Sequence, residues 1–394
     1  MFSAAIVAIL LVGQVYFFRV TGRYLETALG RKRGLKIVLA LRIFVCGMLA
    51  VVGLDNAFPD SQRFGLEGSW IRGVSYTAGI WVAGATGAAV LLICAALLRK
   101  KFQRAEEAQR ADSNEMASRR LFLSRMARTT AALAPFGIAA YGTLLVRSNF
   151  ELREVQFPAK NLPGALEGLR IALLTDIHFG PYLSLPELRR VVAMANEARP
   201  HLTVVTGDLI TRTGDPLETC LTELAKLRAE AGVIGCLGNH EIYADCQEFA
   251  ETRGRAVGIE FLRQRCKVLD FGGALLNVAG VDYQRQRRPY LVGAGDWVRP
   301  GAVNVLLSHN PDVFPVAADL GYDLVVGGHT HGGQVAVEIL EQTLNVGRFF
   351  TPFVAGLYQR GNSSLYVSRG IGTINLPIRL GARPEVTLLV LRRA

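Results

Sequence analysis

Five of the six histidines in this 394-residue chain stand just after short apolar runs, each beside Asp, Asn or Gly. They are His178 in Thr175-Asp176-Ile177-His178, His240 in Gly238-Asn239-His240-Glu241, His309 in Ser308-His309-Asn310, and His329 and His331 in Gly327-Gly328-His329-Thr330-His331. Asp208, in Thr206-Gly207-Asp208, follows another such run, and only His201 stands apart. One histidine at a strand end is usually a satisfied structural residue; five, with two carboxylates among them, read as a ligand cluster. Carboxylate, imidazole and amide oxygen without thiolate suit Mn²⁺, Fe or Zn²⁺ better than Ca²⁺, which prefers oxygen alone. There are too many ligands for one ion. With a turn, Asp176 and His178 can reach the same ion, the two oxygens of Asp208 can bridge to a second, and Asn239 supplies a neutral oxygen. Two ions about 3.5–4 Å apart can hold a shared hydroxide and clamp the attacking and leaving oxygens of an in-line displacement at phosphorus. The chemistry expected is phosphoester hydrolysis.

To bring these residues together, the elements carrying them must end on one edge. Ile171–Leu174, Leu202–Val205, Val233–Leu237, Val303–Leu307 and Leu324–Val326 have strand length and turn residues on their flanks. Helical stretches at Pro186–Ala198 and Pro216–Glu230 lie between the first three, which is an α/β pattern. Further strands at Leu275–Val281, Leu365–Val367 and Val386–Leu391, with fewer helices between them, predict a second, more antiparallel sheet. In α/β folds the loops leaving the carboxyl ends of strands converge, so all five histidine- and aspartate-bearing segments should meet. Gly207, Gly238, Gly328, Gly332 and Gly333 fit a place where backbone approaches ions and phosphate closely.

The ordered series D-x-H, G-D, G-N-H-E, a lone H and G-H-x-H resembles the calcineurin-like metallophosphoesterase family over roughly Leu152 to Ala394. The resemblance implies a four-layer αββα sandwich, two mixed sheets flanked by helices. It also implies a division of ligands: Asp176, His178 and His331 on one metal, Asp208 shared, and Asn239, His309 and His329 on the other. His240 would then be catalytic rather than a ligand, stabilising developing negative charge or protonating the leaving oxygen. Ser368-Arg369-Gly370-Ile371-Gly372-Thr373 resembles the terminal segment of the branch containing membrane-associated bacterial phosphoesterases. There Arg369 reads either as a phosphate contact or as half of a structural ion pair.

The first 150 residues are of another kind. Half of all residues in the chain are hydrophobic, and four nearly uncharged stretches, Phe2–Phe18, Ile37–Leu54, Ile80–Leu98 and Thr129–Val146, approach or reach the roughly 17–25 residues of a bilayer-spanning helix. Arg42, inside the second, must snorkel or face a partner. The formal charge of +11 resides here: residues 1–150 hold 19 Lys and Arg against 8 Asp and Glu, and subtracting these from the totals of 44 and 33 leaves 25 of each beyond. That balance removes the compositional argument for nucleic-acid binding by residues 151–394.

Six basic residues separate the first two stretches and nine lie from Arg99 to Arg128, whereas only Arg63 and Arg72 fall between the second and third. Because cytoplasmic loops collect Lys and Arg, the expectation is a multi-pass protein of a bacterial cytoplasmic membrane whose residues 151–394 lie outside. Ser118-Arg119-Arg120-Leu121-Phe122-Leu123 resembles the signal of the twin-arginine route, which exports folded proteins, although here it is internal. The six cysteines show no C-x-x-C spacing and predict free thiols.

A hydrolase tethered to a bilayer suggests a phosphoester or pyrophosphate of a lipid or cell-envelope precursor. Related branches cleave the pyrophosphate of UDP-2,3-diacylglucosamine in lipid A synthesis, which requires a cytoplasmic site. The alternative from another class is a non-catalytic sensor or scaffold that binds its metals structurally.

Overall fold

A computed structural model describes residues 2–57, 69–106, 114–160, 162–284, 290–339 and 342–394. The chain divides into two compact units, Met1–Leu145 and Val146–Ala394.

In the first unit four helices, α1 (Phe2–Leu29), α2 (Arg31–Ala57), α3 (Ser69–Glu106) and α4 (Asn114–Tyr141), overrun the apolar stretches read from the sequence. A π-helical turn, Gly142–Val146, extends α4. Among the described residues three segments are long and apolar enough to cross a membrane: Arg31–Gly53, Gly73–Leu98 and Phe122–Val146, of mean hydropathy 2.4, 2.2 and 1.5. The side chains of Phe2–Val7, six of the seventeen residues of the first predicted span, lie outside the described residues. The Arg42 guanidinium sits over the Phe18 ring, 5.6 Å from its centroid. An aromatic face is thus a partner for it. The twin-arginine-like segment lies inside α4.

The second unit runs β1 (Glu151–Ala159), β2 (Arg170–Leu174), α5 (Leu185–Glu197), β3 (Leu202–Val205), α6 (Leu217–Leu224), β4 (Val233–Gly235), α7 (Asn239–Tyr243), α8 (Gln247–Ala256), β5 (Ile259–Phe261), β6 (Arg265–Phe271), β7 (Ala274–Gly280), β8 (Val303–Leu307), α9 (Phe314–Leu320), β9 (Leu324–Gly327), a hairpin of β10 (Ala336–Ile339) and β11 (Gln342–Asn345), β12 (Gly356–Arg360), β13 (Ser363–Val367) and β14 (Glu385–Arg393). One six-stranded sheet has the order β1-β14-β2-β3-β4-β5 and the other β12-β13-β9-β8-β7-β6. The second is antiparallel only in its edge pairs, β12 with β13 and β6 with β7; the pairs between them are parallel.

Side-chain alternation along the strands builds the layers. From β2, Ile171 and Leu173 enter the core between the sheets, while Ala172 and Leu174 pack towards Leu188, Val191 and Leu221 of α5 and α6. From β8, Val303, Val305 and Leu307 enter the same inter-sheet core, and Leu306 faces Phe314 and Ala317 at α9. Helix, sheet, sheet and helix are thus stacked, the αββα order of a calcineurin-like sandwich. Strands buried on both faces need apolar residues throughout, which is why these runs stand out in the sequence.

Candidate metal centre

Within the first sheet β2, β3 and β4 are mutually parallel, as are β8 and β9 in the second. Their carboxyl ends carry Asp176 and His178, Asp208, the loop into Asn239, His309, and His329 with His331. Five of these ligand candidates hold left-handed backbone: φ is 50° at Asp176, 47° at His178, 54° at Asp208, 73° at His329 and 52° at His331. Such conformations cost a non-glycine residue on the order of 1–3 kcal/mol and persist only where the surroundings impose them. Here the loops brace one another. The Asp176 N–H donates to Gly207 O at 3.1 Å and the His178 N–H to Asp208 O at 3.0 Å. The His329 N–H reaches both carboxylate oxygens of Asp176 at 3.0 Å.

Three trios result, each with ligand atoms within 4.8 Å of one another: Asp176, His178 and His331; Asp208, His309 and His329; and His178, Asp208 and His240. Asp208 stands between the first two, its Oδ2 3.6 Å from His178 Nε2 and 2.9 Å from His309 Nε2. Asn239 begins α7, and its buried Oδ1 has no hydrogen-bond partner among the described residues. The structure thus brings together Asp176, His178, Asp208, His240, His309, His329 and His331, and places Asn239 between Gly238 and His240 at the start of α7.

Backbone acceptors fix two of the imidazoles. His240 Nδ1 donates to Thr211 O at 2.5 Å and His309 Nδ1 to Thr206 O at 2.7 Å. A carbonyl only accepts, so the hydrogen is on Nδ1 and Nε2 is turned to the cluster. His178 Nδ1 lies 3.1 Å from Thr211 Oγ1, and its Nε2 faces His331 Nε2 at 3.1 Å. Two ring nitrogens aimed at each other share one hydrogen at most.

Burial sets most of the ionisation. It pushes His178 down to about 3, His329 to about 4 and His331 well below the ordinary range, keeping three imidazoles neutral. It lifts Asp176 to about 6. Burial would also raise Asp208 and lower His309, but their mutual attraction wins: Asp208 falls well below the carboxylate range and His309 rises to about 10. Neutral imidazoles, carboxylates and an orphaned amide oxygen form a donor set that fits divalent cations.

Two glycines make room for the carboxylates. A Cβ at Gly238 would come 2.1 Å from Asp208 Oδ1, and one at Gly328 would come 2.1 Å from Asp176 Oδ2. Glu241 is the residue to which sequence reasoning gave no role. Its buried carboxylate accepts from the N–H groups of Gly238 at 2.7 Å, Asp208 at 3.0 Å and Leu209 at 2.7 Å, tying the β3 and β4 loops together. The signal was present: a Glu three residues into a helix whose N-cap is Gly238 is placed to reach back to the cap. Of the two readings of Arg369, the ion pair is the one observed, with Glu385 Oε2 at 2.7 Å from Nε and with Glu151.

The calcineurin-like phosphoesterase family model matches residues 169–333, which contain the whole cluster. A Bacillus subtilis metallophosphoesterase, YkuE, is 30% identical over 285 residues, covering 70% of this chain and 98% of its own length. The chain belongs to the calcineurin-like phosphoesterase family. The Escherichia coli phosphodiesterase YaeI is 31% identical over 297 residues, which is 70% of this chain and all of that protein. A zebrafish (Danio rerio) transmembrane protein with a metallophosphoesterase domain is 32% identical over 273 residues, spanning 65% of this chain and 61% of that protein. This family member is a phosphoester hydrolase, of a family that normally works with divalent metals.

Proposed function

We propose that this chain is a membrane-anchored phosphoesterase in which residues 1–150 hold the enzyme at the bilayer and residues 151–394 carry out hydrolysis with two divalent ions, Mn, Fe or Zn. Asp176, His178 and His331 would hold one ion and Asn239, His309 and His329 the other, with Asp208 bridging. The position of Asp208 between the two histidine-bearing trios carries this reading. When bound, the ions neutralise phosphate charge and activate the attacking water. The protein groups orient and protonate. His240, whose Nε2 lies 4.0 Å from Asp208 Oδ2 and whose Nδ1 hydrogen is held by Thr211, would as the imidazolium offer its second hydrogen, on Nε2, to the leaving oxygen or to the developing charge. Glu241 keeps the Asp208 loop and the His240 helix in register.

The substrate would be a phosphodiester, phosphomonoester or pyrophosphate of a lipid or envelope precursor, favoured by the apolar helices; the name of the Escherichia coli relative favours a diester. The protein would be a multi-pass protein of a bacterial cytoplasmic membrane, with its active site outside. The full chain, purified in detergent and loaded with Mn²⁺, should hydrolyse bis-p-nitrophenyl phosphate in preference to p-nitrophenyl phosphate. Asp208→Ala should lose both metal and activity. His240→Ala should keep its metal and lose about 10²–10⁴-fold in kcat. A wild type that binds two metals yet hydrolyses neither ester would turn the assignment towards a non-catalytic sensor.

A further inference from the structure

The loop leaving β7 ends on the same edge as the ligand-bearing loops, because β7 runs parallel to β8. Tyr283 stands in that loop between two residues that are each tied down. The Asp282 carboxylate accepts from the Arg263 guanidinium at 3.0–3.1 Å, and the Gln284 carbonyl accepts from the Asn310 amide at 2.7 Å. Between these anchors the half-buried phenol lies against two ligand candidates, its ring centroid 6.1 Å from that of His309 and 5.3 Å from that of His329.

Packing accounts for the ring, since phenylalanine would fill the same space, but it does not account for the hydroxyl. Among the described residues the hydroxyl makes one hydrogen-bond contact, with His329 Nε2 at 3.5 Å, which is beyond the roughly 2.5–3.0 Å usual for a hydroxyl donor. Once His329 ligates, the Tyr283 hydrogen is free whichever ring nitrogen takes the ion. If Nε2 ligates, its lone pair is occupied and cannot accept. If Nδ1 ligates, Nε2 carries the hydrogen of the neutral ring and can only donate to the phenol oxygen.

We propose that Tyr283 is a phosphate-binding residue of this centre, its hydroxyl donating to a non-bridging oxygen of the substrate's phosphoryl group. The proposal rests on the phosphoesterase reading and adds a residue to that same site. Tyr283 supplies a donor beside the trio of Asp208, His309 and His329, whereas His240 belongs with His178 and Asp208.

The test uses the full chain at saturating Mn²⁺, titrated calorimetrically with inorganic phosphate and assayed on bis-p-nitrophenyl phosphate. Tyr283→Phe keeps the ring and removes only the hydroxyl. It should weaken phosphate binding about tenfold and lower kcat/KM by a similar factor, the order expected of one hydrogen bond to a charged group, with the unfolding temperature unchanged. A Tyr283→Phe protein with wild-type phosphate affinity or wild-type kcat/KM overturns the proposal; if its Mn²⁺ binding alone is weakened, the hydroxyl serves to position His329 instead. A wild type that takes up two Mn²⁺ ions yet neither binds phosphate nor hydrolyses the ester overturns the proposed function, and this inference with it.

Discussion

His309 sets the sign of one pH response. Its ordinary value is 6.5, and Asp208 with Asp176 lifts it to about 10 in the folded protein against the opposing effect of burial. A group raised on folding contributes stability that is fully present below its unfolded value and is lost as pH climbs through its folded value. The unfolding temperature of the metal-free protein should therefore fall between about pH 6.5 and 10, and His309→Gln should flatten that slope. Asp208 works in the other direction: its depressed carboxyl loses its contribution only as pH drops below the ordinary 3.8. Metal binding reverses the first effect, because His309 Nε2 must release its proton before it can ligate, so apparent Mn²⁺ affinity should rise over the same window. Calorimetry in buffers of different ionisation enthalpy measures both effects, and a metal-free profile flat from pH 6.5 to 10 would contradict the His309–Asp208 pair.

At the scale of elements, Glu241 shows how one side chain holds three segments. Glu241→Ala leaves three buried backbone N–H groups without their acceptor, each costing about 1–3 kcal/mol. The loss in denaturant-induced unfolding should reach about 3 kcal/mol or more, with weaker metal binding because Asp208 is no longer held. Glu241→Gln, which keeps one acceptor oxygen, should lose less. A change within about 0.5 kcal/mol would place Glu241 among ordinary surface positions. Its reach back to the Gly238 N–H has a capping signature in the sequence, but its bonds to the Asp208 and Leu209 N–H groups, like that of His240 to Thr211 O, join loops through backbone, which leaves no residue-type signature, so Glu241 and Thr211 were not assigned while the ligand candidates were. The site-bearing strands were legible for the opposite reason: doubly buried strands such as Leu324–Gly327 carry no charged or large polar residue. By contrast β1, with Leu152, Arg153 and Glu154 exposed in succession, and β6, whose residues are only half-buried or exposed, lack that pattern and went unread. The second sheet, expected to be more antiparallel because few helices separate its runs, is so, with β12–β13 and β6–β7 antiparallel against only β14–β2 in the first. Long connections, such as residues 281–302 between β7 and β8, return the chain to the same edge and keep the inner strands parallel.

At the scale of the whole molecule, the proposed placement of the hydrolase rests on the balance of charge and apolar length. The basic excess lies wholly in residues 1–150, and residues 151–394 are neutral by formal count. Within the first part, Arg and Lys crowd the end of α1 and the start of α2, from Arg19 to Lys36, and the stretch from Arg99 to Arg128, while residues 55–79 hold only Arg63 and Arg72. The proposed orientation, with both rich segments cytoplasmic, has α2, α3 and α4 cross the bilayer, the three helices that are long and apolar enough among the described residues, and the chain after Val146 emerges on the opposite side whether or not α1 also spans. The consequence is measurable with a C-terminal reporter. Fused after Ala394, alkaline phosphatase, which is active only outside the cytoplasm, should be active in intact bacterial cells, and a C-terminal green fluorescent protein exported unfolded should stay dark. Bright fluorescence with inactive phosphatase would mean that α4 does not cross or that the orientation is the opposite one. It would bring the metal centre to the cytoplasmic face, where a pyrophosphate such as that of UDP-2,3-diacylglucosamine becomes the substrate to test first.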